Sequence, residues 1–179
     1  DERDRLAYVT DPDAKPDRLR AIAELNGTPW MEAGTLRAET MPEGVDLIIA
    51  AHSHDFIGRV TRNRAALGAI GYHPSLLPIH RGRDAVRWAV RLRERVTGGT
   101  VFWLNDTVDG GPVAAQEHVL IDPKWTPEEL WREALQPIGI KLLRKTLSDI
   151  SRRVIVRVPQ DPKLATWEPS LNPPPLYRP

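Results

Sequence analysis

The sequence predicts an α/β fold in which a mostly parallel sheet is flanked by helices. Three observations carry that expectation. Short apolar runs of strand length alternate with segments whose apolar residues recur at helical spacing. One run, Leu47-Ile48-Ile49-Ala50-Ala51, is continuous, as in a strand buried on both faces. Thr126-Pro127-Glu128-Glu129 sets a glutamate three residues after a threonine and a proline at the first helical position, which marks a helix start.

Taken in chain order, residues 6–9 form a first strand, closed by the turn-rich Asp11-Pro12-Asp13. Residues 16–25 form a helix with the stripe Leu19, Ile22, Ala23 and Leu25, stopped by Asn26-Gly27. The apolar run at 47–51 is the next strand, a helix follows at about 62–67, and 69–72 is again a strand. Asp84 caps a helix reaching about residue 95, with Ala85, Trp88, Ala89 and Leu92 on one face. Residues 100–104 and 113–121 are strands, and the helix opened by Thr126 runs toward Ile150 with a bend at Pro137. From Pro159 prolines crowd the chain, so residues 159–179 read as an extended tail on the surface of a domain spanning 1–158.

A chain of 179 residues suits one domain with a workable core. With 25 basic and 24 acidic residues its net charge is +1, which gives no electrostatic case for a nucleic-acid partner. Arg81, Arg83, Arg87, Arg91, Arg93 and Arg95 are a local exception, read as the solvated face of a helix. In a functional version, one or two of them would meet the anionic tail of a ligand. Cysteine is absent, which excludes disulfides, thiolate metal sites and cysteine nucleophiles. No apolar run is long enough to cross a bilayer and the opening Asp-Glu-Arg-Asp-Arg does not read as a signal peptide, so the expected setting is the cytoplasm.

The chemistry concentrates in two turns. His73-Pro74-Ser75-Leu76-Leu77-Pro78, followed by Arg81-Gly82, delivers an imidazole at the end of one strand. Asp109-Gly110-Gly111-Pro112 delivers a carboxylate after another. Strand ends of open α/β sheets are where such folds place ligands, and a histidine meeting an aspartate there makes an oriented acid–base pair. The plainer alternatives are a strand-end histidine satisfied by a carbonyl and an aspartate that closes a turn. His52-Ser53-His54-Asp55 invites a metal reading, but no third ligand is fixed by the sequence, so no metal is expected.

The run Tyr72 to Pro78, then His80-Arg81-Gly82, Trp88, Phe102-Trp103, the Asp109 turn and Pro137-Ile138-Gly139-Ile140-Lys141 resemble the formyltransferase superfamily. Members of that superfamily take a one-carbon unit from 10-formyltetrahydrofolate. The form of the motifs is most similar to the hydrolase domain of 10-formyltetrahydrofolate dehydrogenase, and the likeness extends over about residues 6–168. It implies a Rossmann-like fold, against which the chain starts late: a first strand and helix would precede Leu6. It implies that His73 stabilises the developing oxyanion or passes a proton, while Asp109 orients His73 and holds a water or the acceptor amine. It places His52, Ser53, His54, Asp55 and Phe56 beside the pteridine ring of the folate. Asn105, Asp106, Thr107 and Val108 would close over the pterin edge with their backbone groups.

The implied activity is formyl transfer from 10-formyltetrahydrofolate, as co-substrate, to an acceptor amine. Two alternatives stand beside it: a hydrolase that releases formate, and a folate-binding domain of weakened catalysis. One departure bears on the choice. The family asparagine two residues before the histidine is Gly71 here. An oxyanion donor of that kind contributes roughly 3–4 kcal/mol to the barrier. Its loss leans toward the hydrolase-like branch, which also lacks the asparagine.

Overall fold

The computed structural model describes residues 8–10, 18–32, 34–51, 53 and 57–171, in two compact units. The first unit takes in the described residues up to Ile49 together with Ser53 and residues 57–69. In it β1 (Tyr8–Thr10) and β2 (Trp30–Glu32) pair in parallel, Tyr8 opposite Trp30, joined through helix α1 (Arg18–Leu25). Gly27 ends α1 at φ +62°, a left-handed conformation that glycine adopts without a Cβ penalty, as Asn26-Gly27 predicts. Helix α2 (Arg59–Arg62) is shorter and earlier than the expected 62–67. After Asn63 the backbone turns tightly, and the amides of Ala66 and Leu67 donate to the carbonyls of Val45 and Asp46 instead of continuing a helix.

The second unit takes in Ala50, Ala51 and everything described from Ile70 onward. Four strands pair in the order β3 (Ile48–Ala51), β4 (Ala69–His73), β5 (Val96–Trp103) and β6 (Val113–Leu120). The α/β class holds, but the sheet is mixed rather than mostly parallel, because β4–β5 and β5–β6 both pair antiparallel. Helix α3 (Ala85–Arg91) lies in the connection between β4 and β5. Nor is β3 buried on both faces: its burial alternates, and Ile49 is 37% exposed.

β5 begins four residues before the expected start because Gly98 and Gly99 lie inside it. A Cβ at Gly98 would overlap the Glu117 carbonyl oxygen, and one at Gly99 the Tyr72 hydroxyl. The glycines are sites of close approach rather than strand breakers. Helix α3 stops at Arg91, short of residue 95, in a Schellman closure with Arg93 at φ 55° and the Glu94 amide on the Ala89 carbonyl.

The capping box forms as predicted: Thr126 accepts from the Glu129 amide, and the Glu129 carboxylate accepts from the Thr126 amide, opening α4 (Pro127–Leu130). The irregularity expected at Pro137 takes the form of a π-helical segment, Trp131–Leu135, ahead of α5 (Gln136–Ser151). Proline has no N–H for the preceding turn, and the wider turn accommodates that. Ala89, Ile121, Leu130, Ala134 and Leu135 form one core cluster, flanked by Trp125 and Trp131. Beyond α5 the chain runs back along the unit: Val158 pairs with Val113, and Trp167 bridges to Arg81. Among the described residues no helix is long and apolar enough to cross a membrane.

Candidate functional site

His73 is the last residue of β4, opposite Thr100 of β5, and is 8% exposed. The turn that follows is tied down by side chains of the neighbouring strands. Thr100 Oγ1 donates to the Ser75 carbonyl at 2.6 Å and accepts from the Leu77 amide at 3.2 Å. Gln116 donates from Nε2 to the Leu77 carbonyl and to Thr100 Oγ1, and Ser75 Oγ donates to the Ile79 carbonyl. The Pro-Ser-Leu-Leu-Pro segment therefore acts as a fixed bracket beneath the imidazole.

Asp109 sits in the turn after β5 at φ 49°, a left-handed conformation that aspartate tolerates better than most side chains. The next two residues have to be small. A Cβ at Gly110 would stand 2.7 Å from Thr107 Cγ2, and one at Gly111 would overlap the Trp103 carbonyl oxygen. The turn delivers Asp109 Oδ2 to 3.6 Å from His73 Nδ1, and the same oxygen accepts the Gly82 amide at 2.7 Å. The two residues proposed as catalytic are thus brought together, and Gly82 of the Arg81-Gly82 pair supplies a donor to the carboxylate.

The other ring nitrogen fixes the proton. His73 Nε2 lies 2.7 Å from the His80 carbonyl oxygen, which can only accept, so Nε2 carries a hydrogen. In the neutral ring Nδ1 then presents its lone pair toward Asp109. At 3.6 Å the pair is beyond hydrogen-bond length. A proton at Nδ1 would strengthen the pair, and a reacting group with a proton to give could lie against either side of it.

Asn105, Asp106, Thr107 and Val108 form an exposed loop that leads directly into Asp109. Asn105 Oδ1 accepts the Thr107 amide at 2.9 Å, a local turn that shapes the loop's backbone, and Val108 is 52% exposed. Ser53 is exposed and falls in the first unit. His52, His54, Asp55 and Phe56 lie outside the described residues.

Sequence reasoning missed Gln160. Its Nε2 donates to the carbonyls of Asp109 and Gly111 at 2.8 and 2.7 Å, and its Oε1 accepts from Arg81 Nε and Nη2. One amide side chain in the proline-rich segment thereby joins the carboxylate turn to the loop after the histidine turn. Only its partners reveal it, and they lie 49 to 79 residues away in sequence. Trp103 and Trp88 are structural, their indoles donating to the Val156 and Pro169 carbonyls.

The profile of the Formyl transferase family matches residues 8–146, most of the chain and both turns described above. The chain belongs to the formyl transferase family. It is 32% identical over 170 residues to the human mitochondrial 10-formyltetrahydrofolate dehydrogenase, a match covering 89% of this chain and 18% of that protein. It is 32% identical over 180 residues to the methionyl-tRNA formyltransferase of Lactobacillus delbrueckii subsp. bulgaricus, covering 93% of this chain and 57% of the relative. The chain therefore spans about a fifth and somewhat over half of these two relatives' lengths. The structure of HypX from Aquifex aeolicus in complex with tetrahydrofolic acid superposes with a TM-score of 0.71 at 18% identity, over 94% of this chain and 30% of that one. This likeness establishes a shared formyltransferase fold.

Proposed function

We propose that this chain carries out one-carbon transfer, passing the formyl group of 10-formyltetrahydrofolate to an acceptor amine. The observation that carries the proposal is the approach of His73 Nδ1 to Asp109 Oδ2, built from two turns of a formyl transferase family member. The donor supplies an activated formyl carbon on which negative charge develops at oxygen during attack. His73, with Nε2 held by the His80 carbonyl, takes up the nucleophile's proton at Nδ1, and the imidazolium so formed stabilises that charge or passes the proton on. Asp109, fixed by the Gly82 amide, holds the nucleophile and accepts its proton through the His73 pair.

The exposed loop Asn105, Asp106, Thr107 and Val108 fits the role of a wall for a flat heterocycle: it offers backbone groups and one exposed apolar side chain next to Asp109. His52, Ser53, His54, Asp55 and Phe56 remain proposed as folate-binding residues. A cytoplasmic setting belongs to the same proposal, in keeping with a chain that carries no cysteine.

Gly71 favours a second reading, hydrolysis to formate, since β4 offers no side-chain donor two residues before His73. The similarity to a 10-formyltetrahydrofolate dehydrogenase points the same way. Spectroscopic release of tetrahydrofolate from 10-formyltetrahydrofolate tests both. Release only with an amine from a panel identifies a transferase, and release without any amine identifies a hydrolase. Folate binding without release under either condition leaves a binding domain and rejects catalysis.

A further inference from the structure

The His80 side chain has no part in the chemistry above, yet it is one of the most enclosed ionisable groups among the described residues, 3% exposed at φ 56°. Its ring lies between two carboxylates from distant parts of the chain. Nε2 is 2.9 Å from Glu94 Oε1, in the Schellman closure after α3. Nδ1 is 2.8 Å from Glu168 Oε2, in the proline-rich segment, at ion-pair distance but outside hydrogen-bond angle. The same residue's backbone is engaged on both sides. Its amide donates to Thr166 Oγ1 at 2.8 Å, and its carbonyl accepts His73 Nε2 at 2.7 Å.

We propose that His80 is a positioning residue for His73: the bridge from Glu94 through its ring to Glu168 holds the His80 carbonyl against His73 Nε2 and so sets the tautomer that faces Asp109. The proposal rests on His73 being the catalytic imidazole.

The physical argument has three steps. A buried imidazole is stable between two carboxylates when both ring nitrogens carry protons, because each carboxylate can only accept. Burial on its own pulls the His80 pKa down, but the contacts with Glu168 and Glu94 outweigh it and raise it above the usual histidine value. These are the two charged groups the structure sets against the ring. A residue held at both ring nitrogens, its amide and its carbonyl has little freedom to rotate, although left-handed backbone is unfavourable for histidine. That rigidity passes to His73, whose Nε2 is bonded to this carbonyl. A histidine's second nitrogen is what fixes its tautomer and ring orientation.

The test is long-range proton–nitrogen spectroscopy on the full chain labelled at histidine nitrogens, read together with tetrahydrofolate release. Wild type is expected to show His73 as the tautomer with its hydrogen on Nε2, and His80 titrating above the ordinary histidine value. In Glu168→Ala, with Glu94→Ala as a second variant, His73 is expected to become a mixture of tautomers. The kcat is expected to fall roughly tenfold to a hundredfold, the range lost when an outer partner of an oriented imidazole is removed, with KM for the folate substrate nearly unchanged. Glu168→Gln keeps an acceptor beside Nδ1 and is expected to recover both readouts toward wild type.

If His80 titrates lower in both alanine variants while His73 keeps its wild-type nitrogen shifts, the proposal is overturned. Loss of thermal stability with tautomer and kcat unmoved overturns it equally, since that marks a merely structural bridge. Full turnover in His73→Ala would refute the catalytic assignment instead. The nitrogen spectra separate that failure from this one.

Discussion

Replacing Gly71 by asparagine sets a gain in chemistry against a cost in packing, and the structure gives the scale of each. Gly71 lies two residues before His73 on β4, hence on the same face of the strand, directly opposite Phe102 of β5. Its backbone is not in the left-handed region, so a side chain introduces no backbone strain. Space is the constraint. A Cβ there would stand 3.2 and 3.3 Å from Phe102 Cε1 and Cζ and 3.5 Å from Leu104 Cδ2. Phe102 is 3% exposed, so its ring has to yield by a few tenths of an ångström inside a packed sheet. Overpacking of this kind costs about 1–3 kcal/mol. Removing a glycine from the unfolded chain returns about 0.4–1 kcal/mol. The net loss is then about 0–2.5 kcal/mol, and at about 2–4 °C per kcal/mol for a domain of this size the midpoint falls by up to about 10 °C. Against this, a well-aimed oxyanion donor lowers the barrier by roughly 3–4 kcal/mol, about 10²–10³-fold in kcat. The expected result is a folded, modestly destabilised variant whose tetrahydrofolate release rises at least tenfold, well below the full value because the side chain starts among Phe102 and Leu104. Thermal unfolding monitors the cost, and steady-state release with and without an amine monitors the gain. A variant that melts within the stated range yet turns over no faster refutes the idea that a missing donor limits this site.

Asp109→Asn keeps the shape of the turn and its bond from Gly82 but removes the proton acceptor. Release is expected to fall by at least about 10²-fold, the scale of positioned acid–base catalysis, with tetrahydrofolate affinity retained by equilibrium titration. Gln160→Met leaves the Asp109 and Gly111 carbonyls without their donor, at about 1–3 kcal/mol each if they stay dry, so kcat and the urea midpoint should both drop. An unchanged kcat would detach the proline-rich segment from the chemistry. Gly139→Ala pushes a methyl to 2.7 Å from Tyr72 Cε1, in a ring whose hydroxyl donates to the Leu135 carbonyl, and should cost about 1–3 kcal/mol by urea denaturation. The pH dependence of stability follows from His80, whose folded pKa is raised. Its contribution is complete below the unfolded value near ~6.5 and lost as pH rises through the higher folded value. Unfolding midpoints should therefore decline between the unfolded and the folded value, and Glu168→Ala should flatten the slope.

What the sequence revealed was local. The capping box at Thr126, the stop at Asn26-Gly27 and the strand that ends in His73 each depend on residues within a few positions, and each is found where expected. The misses have a common origin in tertiary contact. Both Schellman closures in the second unit put arginine, not glycine, in the left-handed position, at Arg93 and Arg153, so no glycine announces where α3 or α5 ends. The strand expected from residue 100 already starts at Val96 and runs through Gly98 and Gly99, where Glu117 and Tyr72 come too close for any side chain. The antiparallel course of β5 lies in its pairing with β4 and β6, which nothing local in the sequence marks, and the apolar stripe to Leu92 overstated the length of α3. The candidate site was legible as two turns because histidine and aspartate announce their chemistry. Gln160, Glu94 and Glu168 are ordinary surface residue types, and only the folded chain shows what they touch.

That distinction bears on how residues 159–171 of the proline-rich segment are held within the second unit. It contributes Gln160 to the carboxylate turn, Thr166 and Glu168 to His80, and Ser170 and Leu171 to Asp84. Asp84 sits at the start of α3 in a left-handed conformation without capping its own helix; its carboxylate accepts from the Leu171 amide and Ser170 Oγ instead. Burial acts to raise its pKa, but those bonds and Arg87 lower it below the usual aspartate range. The sign here is opposite to that of His80: the stabilisation is present above the unfolded value and lost as pH falls through the lowered folded one. The two ends of the segment's grip thus fail in opposite directions, the Asp84 anchor in acid and the His80 bridge in alkali. Amide hydrogen exchange at Thr166 and Leu171 across pH separates them. Leu171 should lose protection first in acid and Thr166 first toward alkali, and simultaneous loss at both would mean that the segment detaches as one unit.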